Sequence, residues 1–445
     1  MENIIVVIIF ISTYIALGIG KIHRVVIALS GATLILLFHI LNFENAFYST
    51  EYGIDWDVII LLMSMMIIVN ITKQTGIFEW IAVKAVKLSK AKPYALMVLF
   101  VLVTAVISAF LDNVTTVLFI APITLFISDA MELPAVPFLI SEALASNIGG
   151  TATLIGDPPN IMIASKAKLG FIDFINHLTP AVIIILLVYI LTLKIMFSHS
   201  FRYNEEKAKK ILKMDEKKAI KDPVLLKKVL IVLTGVIFGF FIHGALGLEP
   251  AIVALTGATL MLGISKTNIH EMLERIEWTT LFFFGGLFII VGSMVKVGII
   301  QILSQKVLDL TGGHSFLTSG VILWFSAFTS AFVDNIPYVA TMNPLIAHMA
   351  PVISGMPSAS PTSLAVLHSP AVLPIWIALS LGGCLGGNGT LVGATANVVV
   401  SGISEKHGHK ISFGEFFRYG MPIMIESVVI GFLYIWIRYY ILKIF

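Results

Sequence analysis

The sequence predicts an all-α polytopic membrane protein made of two inverted repeats, each with five transmembrane helices plus a re-entrant hairpin, and with broken helices at the midplane. Three observations predict it: an apolar composition, a polar motif written twice, and a one-sided placement of basic residues. Hydrophobic residues make up 58% of the chain and charged residues 12%, against about 25% charged in soluble domains, so the expected solvent is lipid. The apolar stretches reach the roughly 20 residues that cross a hydrocarbon core as helix. Their Leu, Ile, Val, Phe and Gly content lacks the alternation of a membrane β-barrel.

The motif Phe110-Leu111-Asp112-Asn113-Val114, followed by Ala121-Pro122, returns as Phe332-Val333-Asp334-Asn335-Ile336 followed by Asn343-Pro344, an offset of 222 from Asp112 to Asp334. Trp56 and Gly76 find Trp278 and Gly298 at the same offset, and Ala28-Leu29-Ser30-Gly31-Ala32-Thr33 reappears as Ala254-Leu255-Thr256-Gly257-Ala258-Thr259. A third block, residues 149–160, pairs with residues 386–397 and keeps Asn160 in register with Asn397. Two long apolar copies with interrupted polar patches are the pattern of a secondary transporter, since a solenoid repeats a shorter unit more often.

In chain order, the spans expected in the first half are 3–20, 25–41, 56–72, 137–165 and 178–197; in the second, 229–243, 250–264, 279–295, 371–402 and 421–441. The stretch 4–19 lacks the basic flank and cleavage site of a signal peptide and reads as a retained span. Residues 93–128 and 315–349 each form two arms around an Asp-Asn tip. If these are re-entrant hairpins, each half crosses five times, and an odd number inverts the second half. Segments 77–89 and 299–310 mix apolar and charged residues behind a matching glycine, and read as interfacial helices. The resulting domains are an N-terminal repeat (1–198), a basic linker (199–228) and a C-terminal repeat (229–445).

That topology puts 23 of the 29 basic residues on one side, among them Lys21, Arg24, Lys73 and the run from Arg202 to Lys228. By the positive-inside rule the linker is cytoplasmic, Glu44, Glu51 and Asp55 lie outside, and both termini face outward across the cell membrane. The linker reads as a solvated topogenic connector; a nucleic-acid partner is not expected, and an anionic-lipid patch is the competing reading.

An ionised acid deep in a bilayer must be paired, hydrated, ion-bound or protonated, and Asp112, Asp157 and Asp334 sit in such places. They are the expected proton-coupling residues. Capping of the helices that follow is the competing reading for Asp112 and Asp334, but capping alone would accept Ser, Thr or Gly and does not explain a repeated Asp-Asn pair. Residues 149–160 are small and polar and include Pro158-Pro159, which disfavour helix continuation. The segment reads as unwound backbone lining a cavity. Gly386, Gly387, Gly389 and Gly393 loosen its partner. Thr151, Thr153, Asn388 and Thr390 can bind a cation or hydrogen-bond a hydroxylated solute; for Gly150 and Gly387, close helix packing competes.

The chain resembles the ion transporter superfamily, and within it the branch of arsenite permeases, NhaD-type sodium/proton antiporters and the P protein. Leu111-Asp112-Asn113-Val114-Thr115-Thr116 and residues 147–160 carry the resemblance. It implies a homodimer, each protomer with a scaffold and a moving block of two hairpins and two broken helices, the site lying between the tips. The implied binding residues are Asp112, Asn113, Thr115, Thr116, Asn147, Gly150, Thr151, Thr153, Asp157, Asn160, Asp334, Asn335, Asn388, Thr390, Thr395 and Asn397. Dicarboxylate-transporting relatives carry Ser-Asn-Thr tips and Gly-Thr-Pro-Pro where this chain has Asp-Asn and Gly-Asp-Pro-Pro. The acids oppose a carboxylate cargo, so export of arsenite or antimonite in exchange for protons is expected first and sodium/proton antiport second. The expected partners are a small inorganic substrate and the bilayer, with a soluble ATPase subunit left open; no cofactor is expected beyond coupling ions, H+ or Na+.

Cys384, the only cysteine, reads as packing, and so do Met63, Met65 and Met66. His23, His243, His314, His368, His407 and His409 lack metal-ligand spacing, so no bound structural metal is expected. Glu142 is open between a functional place and the cytoplasmic edge. An intramembrane aspartyl enzyme would need two acids sharing a proton, but does not need duplicated folding units; opposed hairpins also argue against an open channel.

Overall fold

A computed structural model describes residues 2–197, 201, 205–213 and 215–445. Arg202 and the repeat boundary at 198–200 lie outside the described residues. Among the described residues every regular element is a helix, and nine helices are long and apolar enough to cross a membrane. The first of them, Glu2–Ile19, exposes Ile4, Ile8, Ile11, Ile15 and Ile19 at helical spacing, the stripe expected of a lipid-facing span. The protein is a multi-pass membrane protein.

The helices sort into two groups by contact. A scaffold group contains Glu2–Ile19, Arg24–Leu37, Trp56–Gln74, Pro223–Ile242, Pro250–Ser265 and Trp278–Lys296. A core group contains the first hairpin (Pro93–Phe110, Asn113–Met131), the first broken helix (Ala135–Gly150, Pro158–Ala167), the second hairpin (Ser315–Phe332, Asn335–Ile353) and the second broken helix (Leu373–Gly386, Thr395–Lys406). Thr179–Phe197 and Phe413–Ile435 pack on the core group. Two helices begin earlier than the apolar runs suggest: Pro223 rather than 229, because Asp222 caps Val224 and Leu225, and Phe413 rather than 421, because Ser412 caps Glu415. Polar first turns are invisible to a hydropathy reading but satisfy orphan amides.

Both expected interruptions are present. The first broken helix stops at Gly150 and resumes at Pro158, so Pro158 and Pro159 open the second half instead of ending the first, a position where the missing N–H is harmless. The second stops at Gly386, makes a 3₁₀ turn through Gly389, and resumes at Thr395. Gly76 and Gly298 hold the left-handed φ of +80° that starts the helices Ile77–Leu88 and Ile299–Thr311, which glycine adopts without steric penalty.

The two copies also share their internal bonds. Ser108 donates to the Ser146 carbonyl and Ser330 to the Gly383 carbonyl, each at 2.6 Å. The Thr153 hydroxyl bonds the Ala109 carbonyl as Thr390 bonds that of Ala331. A Cβ on Gly149 would run into the Ala105 backbone, and one on Gly386 into that of Ala327. At these two positions close packing of broken helix on hairpin arm is what requires glycine.

Candidate functional site

The centre of the core group is a buried amide and carboxylate network. Asp157, 1% exposed, lies at the restart of the first broken helix. Its Oδ1 accepts from Asn113 Nδ2 at 3.2 Å and its Oδ2 from Asn335 Nδ2 at 3.4 Å, so both hairpin tips reach one carboxylate. Asn113 also donates to Asn147 Oδ1 (2.9 Å), and Asn147 donates onward to Asn388 Oδ1 (2.8 Å) and Asn397 Oδ1 (3.1 Å). The network therefore crosses from the first hairpin through the first broken helix to the second. No ion pair to Asp157 forms among the described residues.

The unwound segments are held by the paired asparagines. Asn160 donates to the Gly150, Thr151 and Thr153 carbonyls (3.4, 3.2 and 2.9 Å), and Asn397 to those of Gly387 and Thr390 (2.8 and 3.0 Å). Freed carbonyls at a helix break are expensive in an apolar surround unless bonded, and these amides meet that need. Asn388 is engaged at both ends, accepting from Asn147 and donating to the Leu144 carbonyl at 3.3 Å.

The tip acids do cap their helices, as the competing reading holds. Asp112 Oδ1 accepts from the Thr115 amide (2.8 Å) and Asp334 Oδ1 from the Ile336 amide (3.0 Å). Their surroundings then differ: Asp334 Oδ2 accepts from the Thr395 hydroxyl (2.8 Å) and lies 3.9 Å from the Arg24 guanidinium, whereas no ion pair to Asp112 forms among the described residues.

The hydroxyls do not stand free as donors. Thr116 donates to the Asp112 carbonyl (2.9 Å), Thr151 to the Asn147 carbonyl (2.7 Å), and Thr153 and Thr390 to hairpin carbonyls. Each has one proton to give, so these oxygens offer lone pairs only. A cation or a hydroxylated solute would therefore meet them as acceptors.

Sequence reasoning missed three groups and left a fourth open. Arg24 read as a topogenic charge; Ser380 and Cys384 reach Asn160 Oδ1 at 2.6 and 3.4 Å. The cysteine, expected only to pack, is buried and also donates. Glu142, left open between a functional place and the cytoplasmic edge, is buried, accepts from Thr124 at 2.6 Å, and has no partner for its second oxygen among the described residues. Arg24 and Glu142 carried one signal. The second copy has Pro250 and Leu379 at the corresponding places, and a charge in one copy only marks a departure from the repeat.

The fold is that of a polytopic membrane transporter. The chain belongs to the citrate transporter family, whose model, CitMHS, matches residues 6–368. It is 43% identical over 440 residues to an uncharacterized transporter of Mycobacterium tuberculosis (strain ATCC 25618 / H37Rv), with 99% of each chain covered. It is likewise 43% identical over 441 residues to the 46 kDa membrane protein of Mycobacterium leprae (strain TN), covering 99% of this chain and 100% of that one. The human P protein is 32% identical over 497 residues, 93% of this chain and 57% of its own length. Among solved structures the Alcanivorax borkumensis YdaH transporter, whose crystal structure was described as revealing an unusual topology, aligns with a TM-score of 0.56 at 14% identity over 99% of both chains, a likeness of fold. The chain is thus a transporter and not an enzyme.

Proposed function

We propose that this chain is a proton-coupled secondary transporter working by an elevator-type mechanism, in which Asp157 is the acid where proton and cargo compete. The observation that carries this is the meeting of Asn113 and Asn335, one from each hairpin, on the single Asp157 carboxylate. Neutral amides orient a carboxylate without cancelling its charge, and in an apolar interior the remaining charge calls for a proton or a cation. The matched bonds of the two copies support inverted repeats. Each hairpin arm, at 18 or 19 residues, is long enough to cross by itself, so re-entrance rests on the tips converging at Asp157. The orientation with the basic linker inside, both termini outside, and two protomers joined through their scaffolds completes the reading.

For the cargo, the donor set favours sodium exchanged for protons. The Thr116, Thr151, Thr153 and Thr390 protons are committed to backbone carbonyls and that of Thr395 to Asp334, which leaves acceptor oxygens and carboxylates, the ligands of a hard cation. Citrate, which names the family, is disfavoured by the acids: at about 4 Å and an effective dielectric near 20, each like-charge pair costs about 4 kcal/mol. Export of arsenite or antimonite is the second reading. The motif resemblance favours it, and a trihydroxy solute could donate to the same acceptors.

The test is flux in proteoliposomes with an internal pH dye. A sodium pulse should saturably collapse an imposed pH gradient, while arsenite and citrate leave it standing. Collapse by arsenite alone installs the second reading, and collapse by citrate alone overturns the cation reading.

A further inference from the structure

Arg24 opens the scaffold helix Arg24–Leu37 and reaches across to the core group with a divided guanidinium. Nη2 donates to the Thr280 hydroxyl at 3.2 Å, on the scaffold, and Thr280 in turn donates to Glu277 Oε2 at 3.2 Å. The guanidinium also lies over the Phe283 ring, 5.4 Å from its centroid, a cation–π contact that fixes it from the same side. Nη1 donates instead to the Thr395 hydroxyl at 2.7 Å, on the core, and faces Asp334 Oδ2 at 3.9 Å. The Thr395 hydroxyl accepts from Arg24 and passes its own proton to Asp334 at 2.8 Å. One nitrogen is therefore held by each group of helices.

We propose that Arg24 is a tethered counter-cation: it latches the core group to the scaffold through Thr395 and Asp334, and a cation that binds at Asp334 and neutralises it weakens the latch. The inference rests on the reading of the core group as the moving part. A planar fork with two separately directed donors suits such a bridge, where a lysine would supply only a point charge. The device exists in one copy of the repeat, since Pro250 stands where the second copy would need its arginine. Asp112 consequently has no such guard, and the latch acts on one hairpin only.

The test is a distance measurement between spin labels on Lys21→Cys, in the scaffold, and His407→Cys, beyond the second broken helix, both exposed. The background is Cys384→Ser, which keeps a donor toward Asn160. With Arg24 present, one distance should dominate. Arg24→Gln should raise the population of a second distance roughly tenfold, the effect expected on removing charge-assisted bonds. Asp334→Asn, which imitates the neutralised acid, should shift the population the same way but less, because the bond from Arg24 to Thr395 survives, and the double variant should match Arg24→Gln alone. An unchanged distribution in Arg24→Gln, or additive effects in the double variant, overturns the latch. The measurement needs no cargo, so a wild type that moves no sodium in the flux assay while Arg24→Gln shifts the distances sinks the cargo reading and leaves the latch standing.

Discussion

The two hairpin tips have nearly the same sequence and different electrostatics. Asn113 and Asn335 both donate to Asp157, and Asp112 and Asp334 both cap the arm that follows. Only Asp334 is tied to a cation of the scaffold; the pair is 29% and 26% exposed, at the rim of the site. Duplication supplies two equivalent tips, and the scaffold packed around them breaks the equivalence. The lesson is that a repeat fixes the ligands of a site, while the unrepeated surroundings fix which ligand is free to exchange.

The largest expected effect is on the link that joins the copies. Asn147→Leu removes the acceptor of Asn113 and the donor to Asn388 and Asn397. With each stranded buried group costing about 1–3 kcal/mol, a loss of at least about 3 kcal/mol is expected in detergent thermal unfolding. A loss under about 1 kcal/mol would mean that the network does not join the copies. The repeat-related glycines sharpen the comparison next. Gly298→Ala should cost about 1 kcal/mol for its left-handed backbone alone, since no atom crowds the added methyl closely. Gly76→Ala, whose methyl would meet the Ala219 carbonyl, should cost about 1–3 kcal/mol more. Equal losses would show that the linker segment at Ala219 does not dock there.

The acid pair separates more finely. Asp112→Asn keeps a good cap and should alter stability by less than about 0.5 kcal/mol, whereas Asp334→Asn also loses Arg24 and should cost up to about 1 kcal/mol. Reversal of that order would assign the guard to the wrong tip. The smallest effect concerns Asp55, which lines the 680 Å³ cavity between scaffold and core. Burial pushes its carboxyl above the usual range, against the opposing bond from Ser165 at 2.5 Å. A raised acid binds its proton more tightly in the folded state, so its contribution to stability grows as pH falls through the folded value and is complete below the unfolded one. Asp55→Asn should flatten that part of the stability–pH curve, and an unchanged curve would rule out the assignment.

Much of this was legible in the sequence because the polar residues that matter occur in apolar runs and occur twice. The tips, both helix breaks and the left-handed glycines lay at matching offsets. Arg24 was masked, because a basic residue at a helix start is what the positive-inside rule already expects, and only Pro250 at the corresponding place of the second copy set it apart. The commitment of the threonine protons was not legible either, since a hydroxyl at a helix break can bond its own backbone or a ligand equally well. For Thr153 and Thr390 the position of the neighbouring hairpin arm decides between them.

The central claim is that Asp157 exchanges its proton for cargo. Sodium added to the purified protein in weakly buffered detergent, with a pH dye in solution, tests it directly. The account predicts a saturable proton release from the wild type that disappears in Asp157→Asn while Asp112→Asn retains it; release of the same size from Asp157→Asn, or none from the wild type, would contradict it.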